Sequence, residues 1–138
     1  MEYLTKTPEE TTALGGVLAS QLKPQQVLCF YGDLGSGKTT LIKGIASSVT
    51  SCSIDEINSP TFTYLNIYEG NITIYHFDLY RLMNSEEFTN MGFDEFFESK
   101  GLCCIEWPER ISSLIPQDAV KVAFSHHPEG RLIRIENL

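Results

Sequence analysis

Hydrophobic and polar positions follow two rhythms along this chain, one helical and one extended, and the alternation between them lays out its elements. Leu14, Val17, Leu18 and Leu22 fall at spacings that share one helix face. They follow Thr7-Pro8-Glu9-Glu10, in which Thr7 caps the helix, Pro8 takes its first position and Glu10 completes a capping box. The helix should end before Pro24. The uninterrupted apolar run Val27-Leu28-Cys29-Phe30-Tyr31 predicts a buried strand. Leu41, Ile42, Ile45 and Ala46 then return to helical spacing in a helix reaching about Val49. Residues 50–59 are polar and predict a loop able to move. Two β-rich runs, 62–68 and 72–77, joined by Glu69-Gly70-Asn71, predict a hairpin. Residues 84–88 and 93–97 predict short helices, and Leu102-Cys103-Cys104-Ile105 a second fully buried strand. Runs 119–124 and 131–135 alternate around an exposed turn at 126–130 and predict a second antiparallel pair.

Between the first buried strand and the helix after it lies Gly32-Asp33-Leu34-Gly35-Ser36-Gly37-Lys38-Thr39-Thr40, which satisfies the phosphate-binding pattern G-x-x-x-x-G-K-[ST]. Successive backbone N–H groups at a helix N-terminus supply the fixed donors that a triphosphate needs. Leu34, Gly35, Ser36, Gly37, Lys38, Thr39 and Thr40 are therefore the candidate phosphate-binding residues, with Lys38 as the point charge and the Thr39 hydroxyl as a Mg²⁺ ligand. A glycine-rich turn between strand and helix, without a ligand, is the alternative. With this motif the pattern predicts a P-loop NTPase fold. It is an α/β protein of three α/β/α layers, with a mixed, mainly parallel central sheet and antiparallel hairpins, in one domain over 1–138.

An NTPase of this kind needs an acidic group near the end of a second core strand. Asp78 and Glu106 each follow such a run. The strand before Glu106 is apolar throughout, as a central parallel strand should be, so Glu106 is assigned to the metal. Asp78 then orients the attacking water or a metal-bound water, or else caps a helix or pairs with Arg81. Thr61, at the end of the polar loop in Ser59-Pro60-Thr61-Phe62, is a candidate switch hydroxyl that senses the γ-phosphate, against an ordinary turn at a strand start. Trp107 is either a core anchor or a ring at the site. His76, two residues from Asp78 and on the same strand face, reads as a hydrogen-bonded core residue rather than a metal ligand.

Composition narrows the partners. A net charge of −8 over 138 residues repels nucleic acid from the average surface, and the ten Lys and Arg form no patch. A protein partner with a basic face fits better. No apolar run is long enough to span a bilayer, and the N-terminus lacks the apolar segment of a secretory signal, so a cytoplasmic location is expected. The four cysteines lack C-x-x-C spacing and read as reduced thiols.

The ordered set of the P-loop, Ser59-Pro60-Thr61-Phe62, His76-Phe77-Asp78-Leu79-Tyr80-Arg81 and Ile105-Glu106-Trp107-Pro108 resembles the bacterial TsaE (YjeE) ATPases over nearly the whole chain. The resemblance implies ATP and Mg²⁺ as cofactors, TsaB and TsaD as partners, and a role in forming the N6-threonylcarbamoyl group of adenosine 37 in tRNAs reading codons that begin with A. The tRNA would be met only through the complex, and hydrolysis would reset TsaB–TsaD between cycles. It also implies functional roles for Lys38, Thr61, Asp78, Glu106 and Trp107. Gly130 and Arg131 would lie near the nucleotide, and residues 7–11 would border the adenine. Ser36 stands where alanine is common, and Phe62 where tyrosine also occurs. Two rivals remain: a small-molecule kinase, disfavoured by the lack of an Arg-rich lid, and a nucleotide-gated interaction module in which hydrolysis is incidental. No N-K-x-D segment supports guanine recognition.

Overall fold

The computed structural model describes residues 1–50, 52–60 and 62–138. Its strands are β1 (Glu2–Thr5), β2 (Val27–Tyr31), β3 (Leu65–Tyr68), β4 (Ile74–Asp78), β5 (Leu102–Glu106), β6 (Val120–His127) and β7 (Gly130–Glu136). Its α-helices are α1 (Pro8–Ala19), α2 (Lys38–Val49) and α3 (Ser85–Asn90), joined by 3-10 segments at Ile54–Glu56, Phe93–Glu98 and Pro108–Leu114. One sheet runs in the order β1-β7-β6-β2-β5-β4-β3. β6, β2, β5 and β4 are parallel neighbours, while β3, β7 and β1 join by antiparallel pairing. This is the mixed, mainly parallel sheet that the apolar runs predict.

Both faces of the sheet are covered, which is why β2 and β5 read as continuous apolar runs. On one face α1 and α2 pack Leu18, Leu41, Ile42 and Ile45 against Leu28, Phe30, Cys104 and Val122. On the other, α3 and the 3-10 segments pack Phe88 and Ile111 against Cys29, Phe77, Cys103 and Ile105. Phe77 and Phe88 are fully buried with ring centroids 5.4 Å apart. Each large apolar side chain so buried contributes about 1.5–3 kcal/mol relative to exposure.

Several elements differ from the expectation. β1 has no forecast, because its four residues form a strand only by pairing with Arg131–Arg134 of β7 (Thr5 opposite Arg131, Glu2 opposite Arg134). Val17 is 55% exposed, whereas Thr11, Leu14, Gly15, Leu18 and Ala19 form the buried side of α1. The first hairpin is shorter than its β-rich runs: Tyr64 has φ 66° and its N–H donates to Pro60 O at 2.8 Å, so a turn precedes β3. The polar loop contains the Ile54–Glu56 turn, and Ile57 is fully buried. His126 and His127 are exposed, as expected, but they end β6 opposite Arg131 and Gly130, leaving Pro128 and Glu129 as the turn.

The capping of α1 is as the sequence predicts at Thr7, whose hydroxyl accepts the Glu10 N–H at 3.1 Å. The Glu10 carboxylate reaches back to the Lys6 N–H rather than to that of Thr7.

Candidate nucleotide site

The carboxyl ends of the parallel strands converge at the loop after β2, the place where open α/β sheets form ligand crevices. Residues 32–37 leave β2 there and α2 starts at Lys38. Gly37 caps α2 at φ 106°, in the left-handed region that favours glycine, and provides no side-chain cap. The amides of the first turn thus face the cleft without competition from a capping side chain. Neighbouring strands deliver the acids: Asp78 ends β4, Glu106 ends β5, and register sets the two side by side.

A cleft of about 460 Å³ opens over this loop. Its floor contains Leu34, Gly35, Ser36, Gly37, Lys38, Thr39 and Thr40, together with Asp78, Glu106 and Trp107. The opposite wall comes from Thr5, Thr7, Pro8 and Thr11 and from Gly130 and Arg131. The β1–β7 pairing explains that wall, since the end of β1 and the start of β7 meet at the same edge of the sheet. A Cβ on Gly130 would lie 2.1 Å from Thr5 O, so only glycine permits this approach. The structure therefore brings together all the sequence-derived site residues except Thr61, which lies outside the described residues.

Inside the cleft the polar groups are tightly held. The Thr39 hydroxyl donates to Glu106 Oε1 at 2.9 Å and Oε2 at 3.0 Å. Glu106 is 4% exposed, and His76 Nε2 lies 2.7 Å from its Oε2. Lys38 Nζ donates to Gly32 O and sits 3.9 Å from the centroid of the Trp107 ring. Burial pushes the Lys38 ammonium below the ordinary lysine range, and the charges of Glu106, Glu109, Asp78 and Asp33 oppose that push. An anion arriving at Lys38 would favour the charged form further. Asp78 Oδ2 accepts from the Ser59 hydroxyl at 2.7 Å, and its Oδ1 accepts the Tyr80 N–H at 3.1 Å. The structure thus ties the polar loop to the second acid.

Arg131 donates from Nε to Ser36 O at 3.2 Å and from Nη2 to Gly35 O at 3.4 Å, bracing the loop from β7. Arg81 instead lies over Phe62, and Arg110 donates to Tyr80 O, neither of them lining the cleft. Trp107 satisfies both halves of its expectation: with its backbone at φ 61°, it packs against the core facing α3, and its ring borders the cleft 5.1 Å from that of Tyr80. Sequence reasoning missed the bond from His76 to Glu106, the Ser59 contact with Asp78, and Thr5. For His76 the signal was present, since a histidine two residues before Asp78 shares its strand face.

A hydroxyl and a carboxylate, both hard oxygen donors, suit a magnesium ion, which typically takes one or two protein ligands beside phosphate and water. Thr39 and Glu106 are the residues that would hold it.

Comparison with known proteins gives a consistent result. The family model "Threonylcarbamoyl adenosine biosynthesis protein TsaE" matches residues 5–133. A protein of Bacillus subtilis named tRNA threonylcarbamoyladenosine biosynthesis protein TsaE is 39% identical over 88% of this chain and 75% of its own length. Its namesake in Treponema pallidum is 37% identical over 94% and 95%. The crystal structure of Bacillus subtilis YdiB superposes with a TM-score of 0.77 at 33% identity, covering 96% of this chain and 82% of that one.

Proposed function

The chain belongs to the TsaE family of threonylcarbamoyladenosine biosynthesis, whose P-loop fold implies nucleotide binding, and from that membership we propose that it is a Mg²⁺-dependent ATPase working with TsaB and TsaD. The observation that carries the proposal is the contact of Thr39 with Glu106 directly beneath the loop. It joins the last motif residue to a buried strand-end carboxylate, and these two oxygen donors would hold the metal ion. On this reading one domain, 1–138, acts in the cytoplasm, and the tRNA is met only through the partner complex.

The roles follow from position. Amides of residues 34–40 and the Lys38 ammonium hold the phosphates, with Arg131 keeping the loop in shape. Residues 7–11 border the base. Lys38 leaves Gly32 O and the Trp107 face for the phosphate oxygens and meets the charge that develops on them in the transition state. When bound, Mg²⁺ would draw charge from the β- and γ-phosphate oxygens. Asp78, held by Ser59 and the Tyr80 amide, orients the attacking water through its carboxylate, and Thr61 is the switch residue. Among the described residues no arginine besides Arg131, which braces the loop, lines the cleft, so intrinsic turnover is slow and a partner supplies the missing stabilisation.

Titration calorimetry tests the binding step. ATP should bind wild type with a gain in affinity from Mg²⁺, and a Lys38→Met variant should lose at least about tenfold, the loss of one strong charge-assisted contact. Equal affinity in the two proteins would overturn the assignment of the cleft.

A further inference from the structure

We propose that His76 is a positioning residue that selects which oxygen of Glu106 faces the metal. The inference rests on the Mg²⁺–nucleotide reading of the cleft. Its ground is an asymmetry in the carboxylate's bonds. Thr39 has one hydroxyl proton and lies almost equally far from both oxygens, 2.9 Å from Oε1 and 3.0 Å from Oε2, so it does not distinguish them. His76 does. Its Nε2 lies 2.7 Å from Oε2, and Oε1 is left for a cation beside the Thr39 oxygen.

The tautomer follows from the partners. A carboxylate oxygen only accepts, so Nε2 carries the proton in this bond. Nδ1 is buried and has no hydrogen-bond partner among the described residues. A bare Nδ1 leaves a lone pair unmet, whereas a proton there would leave a buried donor unmet instead. A histidine used only for packing would gain nothing from this arrangement, and a fully apolar side chain would fill the place without an orphaned atom.

The ring is also well anchored for such work. His76 is fully buried on β4, and the parallel register sets it opposite Cys104, one pleat before the Asp78–Glu106 pair. Glu106 itself is a flexible side chain at a strand end, with three torsions between backbone and carboxylate. Bonds to metal-binding carboxylates of this kind hold them in orientation, and losing such a bond typically costs 10–100-fold in metal affinity.

The experiment compares wild type, His76→Leu and His76→Gln. Glutamine places an amide N–H where Nε2 stands, and leucine places none. Calorimetry with ATP is run in EDTA and across a Mg²⁺ series. The expected result for His76→Leu is that about tenfold more Mg²⁺ is needed for half of the affinity gain, with metal-free ATP affinity unchanged within about twofold. His76→Gln should recover most of the loss, and in a Glu106→Gln background His76→Leu should have no further effect. An unchanged Mg²⁺ requirement overturns the proposal, as do an equal fall in metal-free affinity or a failure of glutamine to rescue.

Nitrogen NMR of wild-type imidazoles, without nucleotide or metal, does not depend on any variant folding. It should show His76 protonated at Nε2 and bare at Nδ1, and the opposite tautomer would overturn the proposal. Failure of wild type to bind ATP–Mg²⁺ would instead refute the proposed function while leaving the tautomer result to stand by itself.

Discussion

Replacing Thr39 by valine keeps nearly the same volume and removes only the hydroxyl that meets Glu106. In the free protein that hydroxyl serves a carboxylate that is 4% exposed, so water is poorly placed to substitute for it. A hydrogen bond to a charged group contributes about 1.5–3 kcal/mol. His76 keeps its bond to Oε2, and the Thr39 proton is shared between two oxygens, which argues for the lower end, about 1.5 kcal/mol. For a chain of this length, an unfolding entropy near 2.1 cal/mol/K per residue turns that into a fall of about 5 °C in Tm. Calorimetric melting in EDTA measures it. On the proposed reading the same variant also lacks one of the two metal ligands, so ATP affinity with Mg²⁺ should drop to the value found in EDTA. A Tm within about 1 °C of wild type, well short of the shift worked above, would refute the structural reasoning. A full Mg²⁺ gain in the variant would refute the assignment of Thr39 to the metal.

Asp78→Asn keeps one oxygen to accept the Tyr80 N–H, turns the other into an NH₂ that can only donate to the Ser59 hydroxyl, and removes the charge that on the proposed reading orients water. ATP binding should hold within about threefold while phosphate release falls on the order of 100-fold, the usual loss for a positioned acid or base. Burial pushes the Cys29 and Cys103 thiols up to about 12 from 9.0. The folded state therefore holds these protons more tightly than the unfolded chain. Stability from this source is complete below pH 9 and is lost as pH rises from 9 towards 12, where the unfolded thiols have already ionised. Denaturation midpoints across that range should fall, and a thiol reagent at neutral pH should modify half-buried Cys52 ahead of Cys29, Cys103 and Cys104.

Features written in short stretches of sequence were legible. The P-loop, β2 before it and α2 after it follow from adjacent residues, and the apolar run of β5 pointed to a central strand and so to Glu106. Features made by pairing between distant segments were not. β1 acquires its strand from β7, and with it Thr5 reaches the cleft. His76 meets Glu106 only because β4 lies beside β5 in one register.

The misplacement of Val17 has a different cause. At 100° per residue it lies about 130° from the centre of the arc occupied by Thr11, Leu14, Gly15, Leu18 and Ala19. Gly15 lies on that arc because the backbone of α2 comes close, a Cβ there falling 2.7 Å from Leu41 O, while the Thr11 hydroxyl meets that of Thr5 at 2.7 Å. Small residues that admit a neighbouring helix carry no hydrophobic signal, so the apolar pattern alone turned the helix too far.

Phosphate release from ATP and Mg²⁺, measured for the purified protein alone and after adding TsaB and TsaD, tests the central claim most directly. The account predicts slow release by wild type, a clear rise with the partner complex, and loss of both rates in Glu106→Gln. Release that is absent with and without partners, or that persists unchanged in Glu106→Gln, would contradict it.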